Sequence, residues 1–128
     1  MRQAVMTRPG TIEFRQVSRP VPADDEVLVR ARRIGACGSD IHVYHGRHPY
    51  TTYPVVQGHE VAETVDSLGA GVREFAEGDR VVIMPQVTCG ACYACRHGMY
   101  HICDRLRVMG FQTGGAALEC ADRARRIL

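Results

Sequence analysis

The stretch Glu26-Val27-Leu28-Val29-Arg30-Ala31-Arg32-Arg33-Ile34-Gly35-Ala36-Cys37 decides how this chain is read. Val27, Val29 and Ala31 alternate with Leu28, Arg30 and Arg32, the period of a half-buried strand over Glu26 to Ile34. The strand delivers a cysteine into Gly35-Ala36-Cys37-Gly38-Ser39-Asp40-Ile41-His42, and a second polar cluster, Gly58-His59-Glu60, answers it further along. Thiolate, imidazole and carboxylate are all zinc ligands, and catalytic zinc takes a few protein ligands while keeping one position open. Cys37 and His59 are read as two such ligands, each beside a glycine that lets the backbone turn and a metal approach. The plain alternatives are a packed thiol and an ordinary histidine.

Outward from this stretch the signals are those of short strands and tight turns. Residues 2–6 and 11–17 flank Arg8-Pro9-Gly10 as a hairpin, and Arg19-Pro20-Val21-Pro22 is extended because proline restricts itself and its predecessor. Ser39 to His45 reads as two turns of helix, ended by Gly46 and Pro49, with Ser39 and His42 on one face. Val61 to Leu68 is a strand, Gly69-Ala70-Gly71 a turn, and Glu77-Gly78-Asp79 the turn before a strand over Arg80 to Met84. Gly69-x-Gly71 is not a nucleotide-binding fingerprint, since no third glycine follows at the right spacing and no helical pattern opens there. From the residues alone the fold class is mostly β.

At 128 residues the chain is expected to be one domain, residues 1–128. With 45% hydrophobic and 23% charged residues and no long apolar run, it is expected to be soluble and cytoplasmic, without signal peptide or membrane span. The net charge is +2, and sixteen arginines interleave with fourteen acids without forming a stripe, so nucleic acid is not an expected partner.

Four of the six cysteines crowd into residues 89–103, as Cys89, Cys92, Cys95 and Cys103. Cysteines three apart converge on one ion where glycine or alanine lets the backbone wrap it, and four thiolates close a tetrahedron with no position for substrate. The expectation is a structural zinc lobe at 89–103; the competing reading is an iron–sulfur cluster, and disulfides are a third. His97 and His101 lie within the lobe and are read as solvated loop residues.

Taken in this order and spacing, Cys37-Gly38-Ser39-Asp40-Ile41-His42, Gly58-His59-Glu60, Gly78-Asp79-Arg80-Val81 and the four-cysteine lobe resemble the catalytic domain of the zinc-dependent medium-chain alcohol dehydrogenases. Val108 to Thr113 is similar to the polyol and threonine dehydrogenase branch. The resemblance implies a GroES-like, partly open β-barrel with short helices, one structural and one catalytic zinc, an NAD(P) cofactor, a small alcohol or polyol substrate and a homodimer or homotetramer. It implies Cys37, His59 and Glu60 as catalytic metal ligands, Asp40 as the acid that buttresses the imidazole, and Ser39 and His42 as a proton relay. From the residues alone, Asp40 is a helix-capping acid and Ser39 an N-cap.

The implied reaction is oxidation of a secondary alcohol. Zinc lowers the pKa of the alcohol, hydride passes to the nicotinamide, and Ser39 and His42 carry the proton to solvent. The family's subunit continues into a nucleotide-binding Rossmann domain that these 128 residues do not encode, so the chain by itself is expected to be inactive. Polar Asp122 and Arg123 put in doubt the apolar last strand that the resemblance implies, and Cys120 is expected to be a free packing thiol. The loop Arg47-His48-Pro49-Tyr50 leaves the relay helix and returns toward His59, and is expected to line the substrate pocket. The alternative function is a non-catalytic zinc-binding or interaction module with a chaperonin-like barrel.

Overall fold

The computed structural model describes residues 1–116 and 122–124. The N-terminal hairpin pairs β1 (Arg2–Arg8) with β2 (Thr11–Gln16), and its turn falls at Pro9 and Gly10. β3 (Val27–Ile34) leads to α1 (Gly38–Tyr44); β4 (Val61–Leu68) and β5 (Arg80–Val82) follow. β6 (Gln86–Val87), α2 (Tyr93–Arg96), a 3-10 turn at Tyr100–Ile102 and β7 (Arg107–Val108) make up the cysteine-rich segment. β6 and β7 pair with each other, so residues 89–103 leave and rejoin the fold at one neck. The last strand is β8 (Asp122–Ala124).

A four-stranded antiparallel sheet in the order β5-β4-β3-β8 forms the centre. Among the described residues its two edge strands do not pair with each other, so the barrel is open. The fold is mostly strands with short helices, and no helix among the described residues is long and apolar enough to cross a membrane.

Two expectations about strands need correction. The alternation read for β3 fails in its first half, where Val27, Leu28 and Val29 are buried in succession. The register against β4 shifts between Leu28 and Val29 and again between Ala31 and Arg33, and such bulges re-aim side chains. A strand with a partner on each edge is also more enclosed than the half-buried strand that the period suggested. The polar pair Asp122 and Arg123 does not prevent a last strand: β8 pairs Ala124, Arg123 and Asp122 with Val27, Leu28 and Val29. Those buried β3 residues need main-chain partners on both sides, and backbone pairing does not depend on apolar side chains. Cys120 lies outside the described residues.

Two apolar clusters flank the site. Val27, Val29, Val65, Val81, Ile83 and Met109 fill the sheet's core, and Met6, Val43, Val55 and Phe111 join the hairpin to α1. The second cluster carries the positioning of the site. Val43 is fully buried and fixes the rotation of α1, while Met6 and Val55 exchange main-chain hydrogen bonds of 2.8 and 2.9 Å. At 25 cal/mol per Å² of apolar surface, each fully buried side chain of this kind contributes about 1.5–3 kcal/mol.

Candidate metal centres and the adjoining cavity

Cys37 and His59 meet because β3 and β4 are antiparallel neighbours. Their last pair is Ile34 opposite Val61, and Cys37 lies just beyond one end of it and His59 just before the other. The overhang is tied by Gly35 N–H donating to the Glu60 carbonyl at 2.7 Å. Cys37, His59 and Glu60 each offer a ligand atom, and these atoms lie within 4.8 Å of one another. One thiolate, one imidazole and one carboxylate converging in this way fit a zinc with a position left open.

α1 begins one residue earlier than read, with Cys37 as its N-cap, so Ser39 lies inside the first turn and is not the cap. Asp40 bonds the start of its own helix and faces the His59 imidazole. Its Oδ2 accepts the Cys37 N–H at 3.0 Å, and its Oδ1 lies 3.5 Å from His59 Nδ1. That separation exceeds a hydrogen bond, yet Nδ1 is buried and has no hydrogen-bond partner among the described residues. The carboxylate is thus the group that faces Nδ1, and Nε2 is the nitrogen left for a metal. Ser39 is half-buried and His42, one helical turn on, is exposed to solvent.

The structure also shows parts that sequence reasoning passed over. Gln57 Nε2 donates to the Asp40 carbonyl at 3.1 Å and to Asp40 Oδ1 at 3.2 Å. The backbone carrying His59 is clamped from the far side, where Gly115 N–H donates to Val56 O at 2.8 Å and Ala116 N–H to Gly58 O at 3.0 Å. A Cβ on Gly115 would sit 2.4 Å from the Gln57 carbonyl oxygen, so only glycine allows this approach. Gly58 itself has φ 97°, in the left-handed region that glycine tolerates, and this turns the chain into His59. Gly69, the rejected fingerprint glycine, packs instead against the 23–24 turn, and its N–H bonds Glu26 O at 2.9 Å.

A cavity of about 480 Å³ opens beside the three-ligand group. Ser39, His48, Tyr50, Leu106, Val108, Phe111 and Gln112 line it. The 47–50 loop therefore contributes His48 and Tyr50, whereas Arg47 is exposed, outside the lining, with its N–H on His42 O at 2.8 Å. Phe111 closes the wall between cavity and ligands, with its ring centroid 4.9 Å from that of His59.

The four lobe cysteines are likewise together, with their sulfurs within 4.8 Å of one another. Tetrahedral zinc with Zn–S near 2.3 Å needs sulfurs about 3.8 Å apart; Cys89 and Cys95 sulfurs are at 3.9 Å. Main-chain N–H groups already aim at the sulfurs: Cys92 N at Cys89, Cys95 N at Cys92, and both Cys89 N and Arg105 N at Cys103, all at 3.4 to 3.5 Å. The Ala91 and Cys92 N–H groups lower the Cys89 thiol to about 6, whereas burial raises Cys95 to about 11. The site fits zinc. His97 is turned away, stacked on Tyr93 at 4.1 Å, and both His97 and His101 are exposed, as expected of solvated residues.

Comparison with known proteins gives the same picture. Residues 23–128 match the family described as the alcohol dehydrogenase GroES-like domain, and the strand-rich, open fold is that of such a domain. L-threonine 3-dehydrogenase of Pyrococcus horikoshii is 37% identical over 119 residues, covering 90% of this chain and 34% of the relative. The galactitol-1-phosphate dehydrogenase structure from Escherichia coli superposes with a TM-score of 0.89 at 27% identity, over 100% of this chain and 37% of that one. The rspB alcohol dehydrogenase from Escherichia coli CFT073, solved with NADH, gives a TM-score of 0.83 at 34% identity, over 100% and 36%. The chain spans about a third of the length of the curated relatives it matches.

Proposed function

Since the chain belongs to the zinc-type medium-chain alcohol dehydrogenases, as their GroES-like domain, we propose that residues 1–128 form the catalytic portion of an NAD(P)-linked dehydrogenase acting on a secondary alcohol or polyol. The observation that carries this reading is the three-ligand group Cys37, His59 and Glu60 set beside a cavity that Ser39, His48 and Tyr50 reach. A zinc held there supplies Lewis acidity, which lowers the pKa of an alcohol hydroxyl. Cys37 and His59 would hold the ion, with Asp40 facing Nδ1 of the imidazole so that Nε2 would be its ligating nitrogen. Ser39 lines the cavity and takes the hydroxyl proton; His42, on the same helical face and exposed, passes it to water. Leu106, Val108 and Phe111 exclude water from the reacting carbon.

A nicotinamide accepts the hydride in this reading; NADH bound to the similar rspB enzyme supports it. Relatives that act on threonine and on galactitol 1-phosphate support a hydroxylated substrate. We place the enzyme in the cytoplasm as a homodimer or homotetramer, with the lobe at residues 89–103 serving structure and not catalysis.

The deciding experiment, carried out in the full-length enzyme because residues 1–128 are not expected to turn over by themselves, is metal analysis together with NAD(P) reduction on secondary alcohols and polyols. Two zincs per chain, one lost in Cys37→Ser along with turnover, is the expected result. One zinc, insensitive to Cys37→Ser, establishes instead the non-catalytic zinc-binding module.

A further inference from the structure

We infer that Gln57 is a positioning residue for the three-ligand metal site, holding the Asp40 carboxylate against the His59 imidazole. The inference rests on the reading of Cys37, His59 and Glu60 as that site. The Asp40 carboxylate has one anchor within its own helix, the Cys37 N–H on Oδ2 at 3.0 Å. A single anchor leaves Oδ1 free to swing about the bonded oxygen. Gln57 removes that freedom, because its one amide nitrogen donates to Oδ1 at 3.2 Å and to the Asp40 carbonyl at 3.1 Å.

Oδ1 is also the oxygen that faces His59 Nδ1. With the Asp40 and His59 side chains only 15% and 12% exposed, little water is available to replace the amide. Gln57 is itself well suited to hold a position. Its carbonyl is pressed under Gly115, and the residues on either side of it are hydrogen-bonded to Gly115 and Ala116. The amide is a donor without charge, so it fixes the carboxylate without neutralising it. Groups that orient a metal's histidine in this way affect metal affinity as well as turnover.

The test is zinc affinity, read by competition with a chromophoric chelator in the purified, zinc-loaded protein, with Cys37→Ser identifying which release step belongs to this site. Gln57→Met keeps the length and removes the donor. It is expected to weaken the Cys37-dependent zinc by about tenfold while the lobe zinc is unchanged. In an Asp40→Asn background the same substitution is expected to have a much smaller effect, because its partner is altered; a purely structural role would give the same loss in both backgrounds. If Gln57→Met does not fold, Gln57→Ala, which also removes the donor without adding charge, is read on the same criteria. Unchanged affinity, or equal losses in both backgrounds, overturns the role of Gln57 alone. Wild-type protein with no Cys37-dependent zinc overturns the metal-site reading and this inference with it.

Discussion

The imidazole of His48 stacks on the ring of Phe111, with centroids 4.5 Å apart and planes inclined by 19°. The ring of Phe111 also contacts that of His59, so one ring is at once cavity wall and packing support for a candidate metal ligand. Phe111 is 6% exposed. Phe111→Ala is therefore expected to cost about 3–5 kcal/mol and to loosen the Cys37-dependent zinc. Thermal unfolding and metal retention on dialysis measure the two effects.

Cys92→Ser should remove the lobe zinc. The segment between Cys89 and Cys103 buries only Ala94 and Cys95 between its end ligands, so metal binding is most of its folding energy. One zinc per chain should be lost, and the amides of residues 89–103 should exchange faster with deuterium. An unchanged zinc content would rule out a four-thiolate site.

Gly115→Ala places a methyl group 2.4 Å from the Gln57 carbonyl oxygen and 2.7 Å from that of Gly58. Both are backbone atoms of the one hydrogen-bonded segment and cannot yield easily, and overpacking of this kind costs about 1–3 kcal/mol. Gly114→Ala, with nothing within 4 Å of the new Cβ, is the control and should be close to neutral. A fall in melting temperature for the first and not the second is expected.

Substrate preference should respond to Tyr50 and not to Arg47. Tyr50 lines the cavity, while Arg47 is exposed and outside it. In the full-length enzyme, Tyr50→Ala should change the ratio of kcat/KM between polyols and simple secondary alcohols severalfold, and Arg47→Ala should leave that ratio unchanged.

Much of this arrangement was legible in the residues because its causes are local. The N-terminal hairpin is announced by Pro9-Gly10, and β4 has the bounds read from its pattern, Val61–Leu68. The spacing of the four lobe cysteines suffices to bring them together, since a turn that wraps an ion is itself a short-range structure. What escaped depends on contacts distant in sequence. Leu28 is buried by a register shift and by neighbours on both edges, neither of which a period of two contains. β8 forms because β3 has an edge to fill, so its own polarity was a poor guide. Gln57 looked like one more polar residue before the Gly58-His59-Glu60 motif. Only the direction of its amide, toward a helix seventeen residues away, gives it a part in the site.

If Cys37 and His59 hold a metal as proposed, their overhang beyond the Ile34–Val61 pair makes metal uptake sensitive to strand alignment. Strands that pair out of place by two residues separate the overhanging ends by about 7 Å. Thiolate and imidazole at that distance cannot share an ion. Misaligned molecules would emerge from folding without the Cys37-dependent metal, and zinc in the cell would draw the population toward the one alignment that can hold it.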